Sequence, residues 1–143
     1  MNLQDCIAFA AKNPVCFLAT AENDQPHVRA FLFWFADETG FYFETFRPKD
    51  VCSQIRANPK VEICFFNHGD LPTAKTLRVR GAAEFLDDLR LKERLIADMP
   101  FLKSYGAGPS DPNYQIFRLA HGDAHFWTMA DILKEHTLEH VQF

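Results

Sequence analysis

Several features of membrane, secreted and nucleic-acid-binding proteins are absent from this 143-residue sequence. Lys and Arg form no long run and the formal net charge is -4, which argues against general binding to nucleic acid or to an anionic membrane. No apolar run approaches the ~20 residues that cross a bilayer, and the N-terminus lacks the charged-then-apolar layout of a signal peptide. The sequence therefore predicts a soluble, cytoplasmic protein that binds neither nucleic acid nor membrane.

Motifs of several enzyme and metal-binding classes are also missing. No GxGxxG segment follows a strand pattern, which disfavours a βαβ nucleotide-binding fold. No nucleophile elbow is present, which disfavours a Ser/His/Asp hydrolase. The cysteines form no CxxC pair, so neither a zinc ribbon nor a thioredoxin-like site is predicted. We expect buried, reduced thiols instead at the four widely spaced positions Cys6, Cys16, Cys52 and Cys64.

Hydrophobic residues, in contrast, are plentiful. They make up 48% of the chain, 14% of the chain is aromatic, and fifteen residues are Phe. This content is sufficient for one core, and at this length we expect one domain spanning residues 1–143. So many Phe side chains indicate either β-rich packing or contact with a large flat ligand.

Short apolar stretches separated by turn residues dominate the chain. Strands are predicted at Val15–Ala21, His27–Phe35, Phe41–Phe46, Val61–Asn67, Lys75–Leu86, Tyr114–Ala120 and Ala124–Met129. Helices are predicted at Leu3–Lys12, Pro48–Asn58 and Asp87–Met99. The last two strands would form a hairpin around His121-Gly122-Asp123. The short connections favour a mainly β fold, a small barrel of six to seven antiparallel strands with short helices.

One junction, Gly40 to Asn58 (GFYFETFRPKDVCSQIRAN), has the features of an anion site. An aromatic strand runs into a helix, and Pro48 suits the first helical position. The free amides of Lys49–Val51 and the positive end of the helix dipole would favour an anion, beside the charges of Arg47 and Lys49. Arg29 lies in a neighbouring strand pattern and could meet the same anion. The alternative is a capped surface helix with solvated charges.

The order of these segments resembles the pyridoxamine 5'-phosphate oxidase-like, FMN-binding split-barrel family. The resemblance covers most of the chain, from about Val15 to Met129. No single motif is highly specific, but their order and spacing together are. The segments that carry it are Pro26-His27-Val28-Arg29, Phe41-Tyr42-Phe43, Lys49, Asn58-Pro59 and Leu77-Arg78-Val79-Arg80-Gly81.

The resemblance implies FMN as the cofactor and assigns its contacts. A phosphate-binding Arg and a strand edge against the isoalloxazine correspond to Arg29, Ala30, Phe31, Leu32, Phe33 and Trp34, with Trp34 where the family usually has Lys. The family's Tyr-Thr pair corresponds to Tyr42-Phe43, and a Gln near the flavin corresponds to Thr76. Its Arg-Lys pair corresponds to Pro48-Lys49, with Arg47 one residue away as a second charge.

The resemblance also implies a redox function and a homodimer. The expected activity is electron transfer from a reduced nicotinamide-type donor to a small acceptor, in a relative of the oxidases that is not itself a pyridoxamine 5'-phosphate oxidase. No catalytic residue is identified, so a non-catalytic flavin carrier or sensor stays open. The aromatic content exceeds what one small barrel can bury, and split-barrel relatives pair with flavin between the subunits.

Histidine spacing offers a further alternative, a metal or haem site. His136 and His140 are spaced i, i+4, and His121 and His125 flank the predicted closing hairpin. No Cys or carboxylate stands at a matching spacing, and exposed tail histidines usually bind nothing. The sequence therefore predicts no metal site.

Overall fold

The computed structural model describes residues 1–143 and consists mainly of β-strands. The strands are β1 (Val15–Glu22), β2 (Gln25–Asp37), β3 (Gly40–Phe46), β4 (Lys60–Phe66), β5 (Lys75–Leu86), β6 (Tyr114–Thr128) and β7 (Val141–Gln142). The helices are α1 (Leu3–Lys12), α2 (Asp50–Ala57) and α3 (Leu89–Asp98), with 3₁₀ turns at Pro100–Tyr105, Met129–Asp131 and Glu135–Thr137. None of these helices has the length and apolarity needed to cross a membrane.

Six of the strands close into an antiparallel barrel. Their order is β3-β2-β1-β4-β5-β6, and β3 pairs with β6 to complete the circle. The seventh strand, β7, adds to β6 outside the closed circle. The prediction of a mainly β antiparallel barrel with short helices is therefore confirmed.

The predicted closing hairpin around His121-Gly122-Asp123 is wrong. Residues Tyr114–Thr128 form one continuous strand, β6, which pairs with β5 at both of its ends. Gly122 allows the two backbones to approach closely, because a Cβ there would lie 2.2 Å from the Arg80 carbonyl oxygen. The register of the β5–β6 pair shifts at the same place, where the three steps from Leu119 to Gly122 oppose the two from Gly81 to Ala83, and the extra residue bends β6. The turn-like residues therefore bend the strand instead of reversing it.

Helix α2 begins later than predicted. Its first residue is Asp50 and its N-cap is Lys49, so Pro48 lies outside the helix and not at its first position. The Lys49 amide donates to the Phe46 carbonyl at 3.0 Å, which closes a turn between β3 and the helix. No side chain caps the helix, so its N-terminal end remains available to an anion.

The core consists of two groups of buried residues. The larger fills the barrel and contains six buried aromatic residues, Phe31, Phe33, Phe41, Phe43, Phe65 and Phe117. The smaller lies on the opposite side of β3 and β6, where α3 packs against the barrel, and contains Tyr42, Leu95, Ile96, Leu102, Tyr114 and Ile116. Much of the aromatic content is thus explained by packing inside the barrel.

We expect Gly40→Ala to destabilise the fold more than Gly108→Ala. Both glycines have a positive φ, 131° and 136°, so each Ala should lose about 1–3 kcal/mol to backbone strain. A Cβ on Gly40 would also lie 2.2 Å from the Leu119 carbonyl oxygen, whereas a Cβ on Gly108 meets nothing within 4 Å. This clash should cost about 1–3 kcal/mol more. Urea unfolding of both variants measures the difference, and equal losses would contradict it.

Candidate functional site

A pocket of about 670 Å³ lies between β2 and the start of α2. We call it the anion pocket. It brings together the two cations singled out in the sequence, Arg29 and Lys49, with the first turn of the helix. The negative charge in its wall is Asp50, the first helical residue. Its lining residues are Pro26, His27, Val28, Arg29, Pro48, Lys49, Asp50, Val51 and Gln54.

Arg29 is held in place by neighbours that sequence reasoning missed. Its guanidinium donates to Thr20 Oγ1 at 2.9 Å, to the Leu18 carbonyl at 3.3 Å and to Gln54 Oε1. Burial lowers the pKa of Arg29, an effect opposed by the carboxylate of Asp50, but an arginine remains a cation at physiological pH. The one available signal was Gln54, a polar residue on the buried face of the predicted helix.

A second pocket, of about 320 Å³ and mostly apolar, adjoins the first at Lys49. We call it the apolar pocket. The Lys49 side chain lines both pockets, with its Nζ 5.3 Å from the centre of the Phe31 ring. The other lining residues are Val15, Ala30, Leu32, Glu44 and Phe101. A cationic pocket and an apolar one are thus joined through a single lysine.

The strand beside the apolar pocket has a free edge. Strand β2 pairs with β1 along Gln25–Leu32, but its pairing with β3 begins only at Phe33. Residues Ala30–Leu32 therefore have no strand partner on the β3 side. A strand edge without a partner offers backbone donors and acceptors to a ligand.

Glu44 is a charged residue inside this pocket that sequence reasoning also missed. Its Oε2 is buried and has no hydrogen-bond partner. Burial raises the pKa of Glu44, and the nearby charge of Lys49 only partly opposes this effect. The signal in the sequence was a lone charged residue within the aromatic strand FYFETF. An unpaired buried carboxylate is costly unless a ligand donor or a proton satisfies it.

We expect Glu44→Gln to stabilise the free protein near neutral pH. Because the folded state raises this pKa, it binds more protons than the unfolded state, and stability falls as pH rises above the ordinary Glu value. The gain from Gln should therefore shrink below about pH 4. Thermal unfolding at both pH values measures this, with Glu38→Gln on the exposed β2–β3 turn as the control. A gain that does not depend on pH would contradict the argument.

Four of the residues assigned to the cofactor lie away from both pockets. Phe33 and Phe43 pack inside the barrel core, where their ring centres are 5.6 Å apart. Trp34 donates from Nε1 to Asp98 at 2.9 Å. Tyr42 stacks on Phe35 at 4.3 Å, in the smaller core group. The free chain therefore presents none of these four side chains to the anion or apolar pocket.

Arg47 and Thr76 are also separate from the Arg29 and Lys49 pair. Arg47 lines a third pocket, of about 270 Å³, together with Arg56 and Lys92. Thr76 lies on β5, paired with Phe66 on one side and Trp127 on the other. The expected second charge from Arg47 is thus directed to a different pocket in the free chain.

The sequence that folds into this barrel matches a known protein family. The family model described as pyridoxamine 5'-phosphate oxidase matches residues 4–128. The chain belongs to this family. Its members commonly bind flavin. The resemblance stated from the motifs is therefore confirmed, and the barrel is the split barrel of the family.

Solved structures with the same fold cover nearly the whole chain. A NimC/NimA family protein from Clostridium acetobutylicum has a TM-score of 0.81 and 25% identity over 98% of this chain and 92% of its own. General Stress Protein 26 from Bacillus anthracis has a TM-score of 0.70 and 25% identity over 87% of this chain and 92% of its own. PhzG from Burkholderia lata has a TM-score of 0.70 and 16% identity over 99% of this chain and 89% of its own. A search of curated proteins found no match.

Proposed function

We propose that this family member binds FMN and works as a small oxidoreductase. The observation that carries the proposal is the junction of the anion pocket with the apolar pocket at Lys49. FMN combines a phosphate that is nearly dianionic, a polar ribityl chain and an apolar three-ring head. A cofactor of this kind needs cations at one end of its site and flat apolar walls at the other.

The anion pocket supports the phosphate end. Arg29 and Lys49 supply two cations, and the uncapped start of α2 adds its amides and the positive end of its dipole. The hydrogen bonds from Arg29 to Thr20 and Gln54 orient the guanidinium before a ligand arrives. Asp50 opposes an anion, but the two cations outnumber it. A phosphate in this pocket would form charge-assisted hydrogen bonds.

The apolar pocket supports the ring end. Ala30 and Leu32 give it apolar walls, and the unpaired edge of β2 offers backbone groups to a polar ring margin. Glu44 Oε2 has no partner in the free chain and would accept a hydrogen bond from a ribityl hydroxyl or a ring N–H. The donor set and the unpaired acceptor therefore fit a flavin nucleotide.

When bound, FMN would supply hydride and electron transfer between a reduced nicotinamide-type donor and a small acceptor. The protein's own residues would bind and orient the cofactor: Lys49 and Arg29 at the phosphate, the β2 edge and Glu44 at the ring. Apart from the two cations, the acids and bases that line the pockets are Glu44, His27 and Asp50, and none of them is assigned a catalytic role. The second candidate function, a flavin carrier or sensor without turnover, is favoured by the lack of an assigned catalytic residue.

We also propose that two copies of the chain pair over the outer face of β1 and β2. Strand β1 alternates buried and outward residues, yet its outward residues are apolar as well. Val15 is 49%, Phe17 40% and Val28 70% exposed. A strand that is apolar on both faces is typical of one covered on both sides. Because Val15 also lines the apolar pocket, a partner on this face would help to close the flavin site.

The visible spectrum of the purified protein tests the proposed cofactor. We expect flavin absorbance, release of FMN and not FAD on denaturation, and one FMN per chain. Anaerobic mixing with NADH or NADPH then distinguishes the two functions. In an oxidoreductase the donor reduces the flavin rapidly and its visible absorbance is lost, whereas in a carrier the absorbance remains. A protein that binds no flavin when FMN is added in excess would refute the proposal as a whole.

A further inference from the structure

A cluster of three potential metal ligands lies outside the flavin site, where the C-terminal tail folds back on β6. It comprises Asp123, His125 and His140, whose ligand atoms all lie within 4.8 Å of one another. His140 Nδ1 is 2.8 Å from Asp123 Oδ1, and His125 Nδ1 is 3.8 Å from the same oxygen. The two imidazole ring centres are 4.4 Å apart. Both rings thus direct the same nitrogen toward one carboxylate.

His125 has a buried nitrogen without a partner, which is a separate indication of a ligand site at this cluster. The residue is only 5% exposed, and its Nδ1 is buried without a hydrogen-bond partner. Buried polar atoms in folded proteins nearly always have a partner, and an exception needs an explanation. A metal ion beside Nδ1 would supply one.

We propose that Asp123, His125 and His140 form a site for a divalent transition-metal ion of the Zn²⁺ class. Two imidazole nitrogens and one carboxylate oxygen suit Zn²⁺, at about 2.0–2.2 Å from each. Ligand atoms at those distances in a tetrahedron are about 3.3 Å apart. The observed separations from Asp123 Oδ1 are 2.8 and 3.8 Å, and all three ligand atoms lie within 4.8 Å of one another, so side-chain rotations that draw the imidazoles together would complete the geometry. The fourth position is open to water.

This grouping differs from the pairs visible in the sequence. Sequence spacing pairs His136 with His140 and places His121 and His125 at the two ends of a hairpin. The hairpin is absent, and His136 lies in the 3₁₀ turn Glu135–Thr137. Asp123 and His125 instead lie two residues apart on the same face of β6, and the C-terminal tail places His140 beside them.

The surroundings supply the outer contacts of such a site. Gln142 donates to Asp123 Oδ2 at 2.7 Å and so orients the carboxylate, while His140 Nδ1 lies 2.8 Å from Oδ1 and 2.9 Å from Oδ2. Arg80 Nε lies 3.3 Å from Oδ1 and competes with an ion for this oxygen. Its side chain is 56% exposed, so it can swing into solvent when an ion enters. Arg78 is already paired with Glu62 and Glu135.

The ion would add to the contacts that already hold the C-terminal tail on β6, which include two backbone hydrogen bonds between Gly122 and Phe143. Asp123 and His125 belong to β6, whereas His140 belongs to the tail, whose strand β7 is only two residues long. Binding to the docked tail alone would favour the docked state by mass action. A bound ion would therefore stabilise the pairing of the C-terminal strand β7 with β6.

Calorimetric titration of the chelator-treated full-length protein with ZnCl₂ tests the proposal. We expect one Zn²⁺ per chain and a Zn²⁺-dependent protection of the tail from a C-terminal exopeptidase. His140→Ala should lose at least about tenfold in affinity, the lower limit seen even for residues that only support metal ligands. The His140 side chain is 34% exposed, so this variant should still fold. His136→Ala, a nearby exposed histidine outside the cluster, is the matched control.

His125→Gln gives a second and independent arm. It should remove Zn²⁺ binding and tail protection together while circular dichroism shows an intact barrel. The proposal fails if the parent protein binds no Zn²⁺ at one per chain. It also fails if His140→Ala binds as tightly as His136→Ala, which would assign the ion to other surface groups. Flavin content is irrelevant to either readout.

Discussion

Replacing Lys49 with Ala is expected to weaken FMN binding about 10- to 160-fold while changing riboflavin binding far less. The lysine lies in the anion pocket, where its ammonium would meet the phosphate that riboflavin lacks. A charge-assisted hydrogen bond is worth about 1.5–3 kcal/mol, which corresponds to this range of affinity. Fluorescence titration of both ligands into the apo protein measures the two losses.

Arg47→Ala is the matched control for this experiment. Arg47 is also a cation, two residues away, but it lines the third pocket with Arg56 and Lys92. We therefore expect its removal to change FMN affinity much less than the loss of Lys49. Equal losses of FMN and riboflavin in Lys49→Ala would show that the lysine does not bind phosphate. A loss in Arg47→Ala as large as in Lys49→Ala would mean that the loop rearranges around the ligand.

Phe17→Glu is expected to convert the proposed dimer to monomer. Phe17 is the middle of the exposed apolar residues on β1 and β2, and a carboxylate there would be buried without a partner on association. Loss of a hot-spot residue costs at least about 2 kcal/mol, so the dimer dissociation constant should rise about 30-fold or more. Sedimentation velocity over a range of protein concentrations measures the shift. Leu89→Glu, also exposed but on α3, is the control.

Flavin binding should follow dimerisation in the same variants. A ligand that contacts both subunits stabilises the pair, so FMN should shift the parent protein toward dimer, and Phe17→Glu should bind FMN more weakly than the parent. A parent protein that stays monomeric at micromolar concentration while holding one FMN per chain would rule out the shared site. That result would leave the assignment of Lys49 to phosphate intact.

The strands of the barrel were predictable because their signals are local. β2 and β3 are rich in apolar and aromatic residues and are bounded by turn residues, and their antiparallel pairing follows from the short connection between them. β6 was not predictable as one strand. The residues around Gly122 are those of a turn, and only the close approach of the Arg80 backbone shows that they continue the strand. Local composition cannot distinguish a bend from a reversal.

Some residues of the candidate site could likewise be predicted from the sequence, and others could not. Arg29 and Lys49 could be singled out from residue type and order, because a lysine beside the free amides of a helix start can bind an anion and Arg29 lies in a neighbouring strand pattern. The orientation of Arg47 toward a different pocket could not be predicted from the sequence, because a loop of two residues can direct a side chain to either side. Glu44 was overlooked because a single charge in a strand is ordinarily exposed. In the folded chain it lines the apolar pocket together with Phe101, which is distant in sequence.

The sequence by itself determined the fold class, the family and the cationic junction before α2, because each depends on the order and spacing of neighbouring residue types. Only the tertiary structure decided which side chains share a pocket. The joining of the anion and apolar pockets at Lys49, and of His140 with Asp123 and His125, depends on how distant segments pack. Closing the barrel brings such segments together through long-range strand pairing, and no local pattern specifies those distances.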